Sequence, residues 1–235
     1  MVINCVWEHN GNDTLLYAMD FPGAFTRGAD LQTAVDKMPD EIRSYAAWSG
    51  ISLPEEISVA VAQDVNSSLL ISDADSDALF DSEAEPLSES QYQQLKALAL
   101  KSATDFLTLY RSVPDPEYRP YPPRRTFYGQ VPGTAKEMYD HTKSVNSYYF
   151  AEIDVEADNI GSILECRRRG FELLEQIPGF LDNKIICGSY DESWSVRKVI
   201  RRFIWHDRIH AKAMYRMAAH QFGTAVIENP FHFSK

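Results

Sequence analysis

The run Phe203-Ile204-Trp205-His206-Asp207-Arg208-Ile209-His210 decides how the rest of the chain is read. It lies within Ser195 to Phe222, a segment with neither proline nor glycine and with apolar residues at helical spacing, which predicts one long helix. Residues four apart on a helix share a face, so His206 and His210 can direct two imidazoles at one ion. The competing reading is a pair of packed or solvated histidines, because catalytic zinc-type centres take three protein ligands and keep a further position for water or substrate. His141, in Glu137-Met138-Tyr139-Asp140-His141-Thr142-Lys143, is the candidate third ligand. It sits on another predicted helix, Thr134 to Ile153, which an antiparallel bundle brings opposite the pair.

Two more helices are expected around these. Ser88 or Ser90 caps one that runs through Tyr110, with Leu95, Leu98, Ala99, Ala103, Phe106 and Leu109 as its apolar stripe. A crossing from Pro114 to Pro132 follows, in which Pro120, Pro122 and Pro123 exclude helix. Asp158 to Gln176 reads as the next helix and ends at Pro178-Gly179, after which Ser193 or Ser195 opens the histidine helix. The fold class is therefore multidomain, with a C-terminal all-α four-helix bundle over residues 90–235.

The N-terminal residues 1–72 read as a small α+β domain. Ile3–Trp7 and Leu15–Met19 look like strands joined by the turn residues His9-Asn10-Gly11-Asn12-Asp13. Asp20-Phe21-Pro22-Gly23 turns into a short third strand ending at Gly28. Asp30 caps a helix to about Trp48, and Ile57–Ala62 resumes the strand pattern.

Charge divides the chain. Residues 1–90 hold 17 acidic side chains against Arg27, Lys37 and Arg43, a net of −14, and residues 91–235 hold 17 against 20 basic ones, a net of +3, which together make the −11 of the whole. This asymmetry predicts two domains with separate cores, joined by residues 73–89 as a solvated acidic linker. Asp73, Asp75 and Asp77 alternate like the opening of a calcium loop, but Ala78 replaces the turn glycine and Ala84 the closing carboxylate. A domain of net −14 with no basic ribbon repels phosphate backbone, so no nucleic acid is expected as a partner. No apolar run is long enough to span a bilayer, and Met1-Val2-Ile3-Asn4-Cys5 lacks a leader pattern, so no membrane partner and a cytoplasmic location are expected. Cys5, Cys166 and Cys187 have no paired spacing and are expected as reduced thiols.

Two resemblances follow from these residues. The phrase Asp20-Phe21-Pro22-Gly23-Ala24-Phe25-Thr26, then Gly28 and Asp30-Leu31-Gln32-Thr33-Ala34-Val35, resembles the HicB-like antitoxin domain over residues about 1–65. The resemblance implies a domain that blocks a small ribonuclease toxin, beside a separate DNA-binding segment in many members; since no basic ribbon or helix-turn-helix follows here, the expected use is a docking or oligomerisation module for a protein partner or a second copy in a homodimer. A histidine near the start of the second bundle helix, followed by Trp194-Ser195-Val196-Arg197-Lys198-Val199 and Trp205-His206-Asp207 with His210, resembles the DinB-like superfamily over residues about 90–222. That resemblance implies a divalent-metal site on His141, His206 and His210, and for some members transfer of a low-molecular-weight thiol to an electrophile. Nitrogen-only ligation suits zinc or nickel. The open alternatives are activation of a small thiol, activation of water, a non-catalytic metal protein serving stress or regulation, and partner docking or antitoxin-like toxin neutralisation through the N-terminal domain.

Geometry nominates supporting residues. Asp140 and Asp207 adjoin two of the ligands in sequence and point about 100° away from them, so each is a candidate acceptor for the second N–H of a histidine on a neighbouring helix. Arg201 and Arg202 are candidates for steering an anionic thiol, with an exposed surface pair as the alternative. Tyr148, Tyr149 and Phe150 read as bundle seam, Trp205 as packed between helices, and His220 as too far along the helix, about 15 Å, to share the ion.

Overall fold

The structure, a computed structural model, describes every residue except Asn12, Phe127, Tyr128 and Lys235. Strands β1 (Val2–His9), β2 (Thr14–Ala18), β3 (Phe25–Gly28) and β4 (Ser58–Asn66) form one mixed sheet in the order β3-β2-β1-β4. The β1–β2 and β2–β3 pairs are antiparallel and β1–β4 is parallel, with Cys5 opposite both Ala18 and Val61. Part of the predicted turn falls on Asn12, outside the described residues. Helix α1 (Leu31–Ser49) makes the crossover from β3 to β4, starting where the Asp30 carboxylate accepts the Thr33 N–H and ending at Gly50 in the left-handed region. Every residue of β2 is buried, because both of its faces are covered.

Four longer helices follow, α2 (Glu89–Ser112), α3 (Ala135–Ala151), α4 (Ile163–Leu174) and α5 (Val196–Phe222), each with a hydroxyl cap at Ser88, Thr134, Ser162 or Ser195. They close a ring of neighbours in which α2 packs on α5, α5 on α3, α3 on α4 and α4 on α2. The molecule thus has an α+β N-terminal region and a helical C-terminal region. Helix α4 starts later than Asp158, because Gly161 adopts a positive φ of 88° and Ser162 with Glu165 forms the capping box. Two short ribbons were not expected from the sequence, β5 (Arg125–Thr126) with β6 (Gly129–Gln130), and β7 (Ile186–Cys187) with β8 (Ser193–Trp194).

The expectation of separate cores fails. One continuous apolar cluster joins Ile3, Cys5, Met38, Tyr45 and Trp48 to Phe106, Leu109, Phe203 and Ile204. A second cluster seats Trp205 among Val6, Leu15, Tyr17, Ile71 and Phe80, so this tryptophan packs on the sheet and not between helices. The turn glycine read from Pro22-Gly23 explains the closeness. A Cβ on Gly23, whose φ is 87°, would lie 2.6 Å from Ile204 Cγ2 and 2.7 Å from the backbone nitrogen of Trp205. Glycine here lets the turn dock directly on α5.

Nor is residues 73–89 a solvated linker. Ser76, Ala78, Phe80, Glu83 and Leu87 are buried, and the stretch forms a strap along α5. Arg201 donates to Glu83 Oε2 at 3.0 Å and to the Ala78 carbonyl at 2.8 Å, Arg202 to the Ser76 carbonyl at 2.9 Å and Lys198 to the Asp77 carbonyl at 2.7 Å. Farther along, Arg208 donates to Glu41 of α1 at 2.6 Å, and Trp48 Nε1 donates to Asp105 of α2 at 2.6 Å. The charge break therefore marks two complementary surfaces that bind each other.

Candidate metal centre

Helix α5 is buried nearly all round and presents three flanks. Arg201, Trp205 and Arg208 meet the sheet, the strap and α1; Asp207 meets α2 and α4; His206 and His210 meet α3. Tyr149 lies against Phe203, with ring centroids 5.4 Å apart, while His141 lies against His206 and His210, so α3 runs antiparallel to α5. This direction brings His141, near the start of α3, to the middle of α5. The three imidazoles gather with one ligand nitrogen from each, all within 4.8 Å of one another. They are close enough to hold a metal ion.

One pair of nitrogens is already spaced as two ligands of a single ion are. His141 Nε2 and His206 Nε2 are 3.2 Å apart, and two nitrogens about 2.0–2.1 Å from a tetrahedral ion lie about 3.3 Å from each other. Electrostatics point the same way. Burial, then the neighbouring His210 and His141, hold His206 well below the ordinary histidine range; burial takes His210 down to about 3 and lowers His141 as well. Neutral imidazoles keep the lone pairs that a cation needs. His206 is 8% exposed and the other two are partly buried, so solvent reaches the cluster from the side of His141 and His210. The Tyr149 ring meets His206 edge-on at 6.1 Å between centroids, and Phe203 backs that tyrosine.

The expected supporting residues lie elsewhere. Asp207 is fully buried but accepts from Arg167 Nη2 at 3.1 Å and Nη1 at 2.5 Å, and it reaches no histidine, because its flank of α5 faces α4. His206 Nδ1 is buried with no hydrogen-bond partner among the described residues, so no carboxylate fixes its tautomer. Asp140 is spent on an exposed pair with Lys136 one turn away. Arg201 and Arg202 are neither exposed nor steering groups; they tie the strap to α5, and Arg202 stacks on Trp205 at 4.7 Å. His220 is exposed and outside the cluster. Tyr149 and Phe150 are buried seam residues as expected, whereas Tyr148 is exposed.

Arg167 is the buried residue that the sequence reading missed. Its signal is in the pattern: it stands four residues after Ile163 and four before Phe171, on the apolar stripe of α4. No family model matches the chain, and no curated protein or solved structure matches it. No helix among the described residues is long and apolar enough to cross a membrane.

Proposed function

We propose that this chain is a divalent-metal protein that holds zinc or nickel on His141, His206 and His210 and uses the centre to activate a small thiol or water. One observation carries the reading: three neutral imidazoles from two antiparallel helices, their ligand nitrogens all within 4.8 Å of one another and one pair at 3.2 Å, with no carboxylate in the cluster among the described residues. An ion bound there supplies Lewis acidity, which brings the pKa of a thiol or water at its open position toward neutrality. The protein's own groups do the rest. His141, His206 and His210 orient the centre, while Tyr149 and Phe203 close off the α3 side. The partly exposed edges of His141 and His210 leave the approach for the reactant. Because the three ligands are uncharged, a divalent cation gains most from an anionic partner, which favours a deprotonated thiol or water over a neutral molecule.

The choice of a thiol rests on the DinB-like resemblance of residues 90–222, a reading that the ring of four packed helices supports. Docking through the N-terminal domain is the weaker reading, since the rest of the chain covers both faces of β2 and leaves β4 as the strand of that sheet with no buried residue. The test is a panel of bacillithiol, mycothiol, glutathione and coenzyme A against halogenated and epoxide electrophiles, run on metal-loaded protein beside His206→Ala. Transfer by the wild type alone supports the thiol reading. Rates equal to the variant for every pair would reduce the proposal to a metal protein without thiol transfer.

A further inference from the structure

At the end of the helical region remote from the histidines, α4, the turn after it, β7 and the first residue of α5 enclose a cavity of about 150 Å³ that opens to solvent on one side. Its walls are apolar, with Ile153, Leu174, Ile177, Phe180, Ile186 and Val196 among them, and the single charged group is Lys184. Lys184 stands at the mouth with its side chain 79% exposed, and its ion-pair contact, Asp182, is at 4.0 Å. Ile177 on the rim is 37% exposed.

An apolar cavity of about 150 Å³ accommodates a benzene-sized ring, and a lysine at the edge of such a pocket selects an acid over a neutral molecule. We propose that this cavity is a binding site for a small aromatic carboxylate, with the ring among Ile177, Phe180, Ile186 and Val196 and the carboxylate on Lys184. The site is separate from the metal centre: Val196 and His206 lie ten residues apart on one straight helix, about 15 Å along its axis. Its occupancy therefore does not depend on metal.

The experiment uses the full chain and three probes, benzoate, benzyl alcohol and toluene, followed by methyl NMR of the isoleucines and valines. Benzoate is expected to shift the methyls of Ile177, Ile186 and Val196 saturably and to bind about two- to fivefold tighter than benzyl alcohol, a preference that added salt erodes. Lys184→Met, on the surface and safe for folding, should erase that preference while both ligands still bind. Ile186→Trp should block both ligands with unchanged helical content, and if that variant misfolds the lysine variant still decides. Absence of saturable shifts in the wild type would overturn the site. Equal affinity for benzoate and benzyl alcohol would overturn the ligand class. Benzoate shifts confined to the methyls of Val145, one turn from His141 on α3, and lost in His206→Ala would place the binding at the metal centre and overturn the proposal equally.

Discussion

Two flanks of α5 bury ionisable side chains a few residues apart and resolve the cost in opposite ways. On the arginine flank each guanidinium meets a carboxylate, Arg201 with Glu83 and Arg208 with Glu41, and behind it Asp207 meets Arg167. On the histidine flank the cluster holds no carboxylate among the described residues, and burial disfavours the protonated imidazoles instead. Each paired charge is neutralised by its carboxylate, although Arg167 Nε, Arg201 Nη1 and Arg208 Nε and Nη1 keep no hydrogen-bond partner among the described residues, whereas the discharged imidazoles have only one another. The comparison teaches that burial of polar groups alone does not mark a site; a candidate site is where buried titratable groups gather with no opposite charge among them.

The strongest way to break the comparison is to remove one half of a completed pair. Asp207→Ala leaves Arg167 charged and unpaired among α2, α4 and α5, with an expected loss of about 3–5 kcal/mol in urea unfolding. Replacing both with apolar residues, Arg167→Met with Asp207→Leu, should recover most of it. A loss under about 1 kcal/mol for the single variant would show that solvent reaches the pair. Next in size is Gly23→Ala, expected to cost about 2–3 kcal/mol because a positive φ is combined with a clash against the α5 backbone. Gly50→Ala is the control, with a φ of 75° but nothing within 4 Å of the added carbon. It should cost only about 1 kcal/mol.

The histidine flank predicts a pH dependence. Its imidazoles have folded-state pKa values below the unfolded value, so in that window the unfolded chain binds more protons. Metal-free protein should therefore be most stable above about pH 6.5 and lose stability as pH falls, by up to about 1.4 kcal/mol per pH unit for each histidine involved. For His210 the loss continues toward about pH 3. His210→Ala should flatten the slope, and an unchanged slope in that variant would contradict neutral burial. The smallest effect is reserved for Asp140→Ala. Its exposed pair with Lys136 touches no ligand, so neither stability nor metal affinity should change measurably in titration calorimetry.

Much of this was legible in the sequence because helices announce themselves locally. A cap at Ser88 or Ser90, a helix start at Thr134, an opening at Ser193 or Ser195, the spacing of His206 and His210, and the succession of strands and helix in the first 62 residues all lie in windows of a few turns. His141 was legible only through the antiparallel arrangement it required. What could not be read was which charged residues would face inward. Glu41, Glu83 and Arg208 look like solvated charges along their own elements, and only the docking of the α+β region on α5 removes them from water. The acidic stretch misled for the same reason: its composition resembles a linker, and its partner carbonyls and carboxylates are satisfied by residues more than a hundred positions away.

The central claim is that the histidine flank is completed by a cation as the arginine flank is completed by carboxylates. The direct measurement is elemental analysis of the purified full chain, reconstituted with zinc or nickel and then freed of loosely held ion, beside His206→Ala treated identically. The account predicts one equivalent of metal per chain in the wild type and essentially none in the variant, with the two proteins equally helical. Wild-type protein that holds no more metal than His206→Ala in either ion would contradict it.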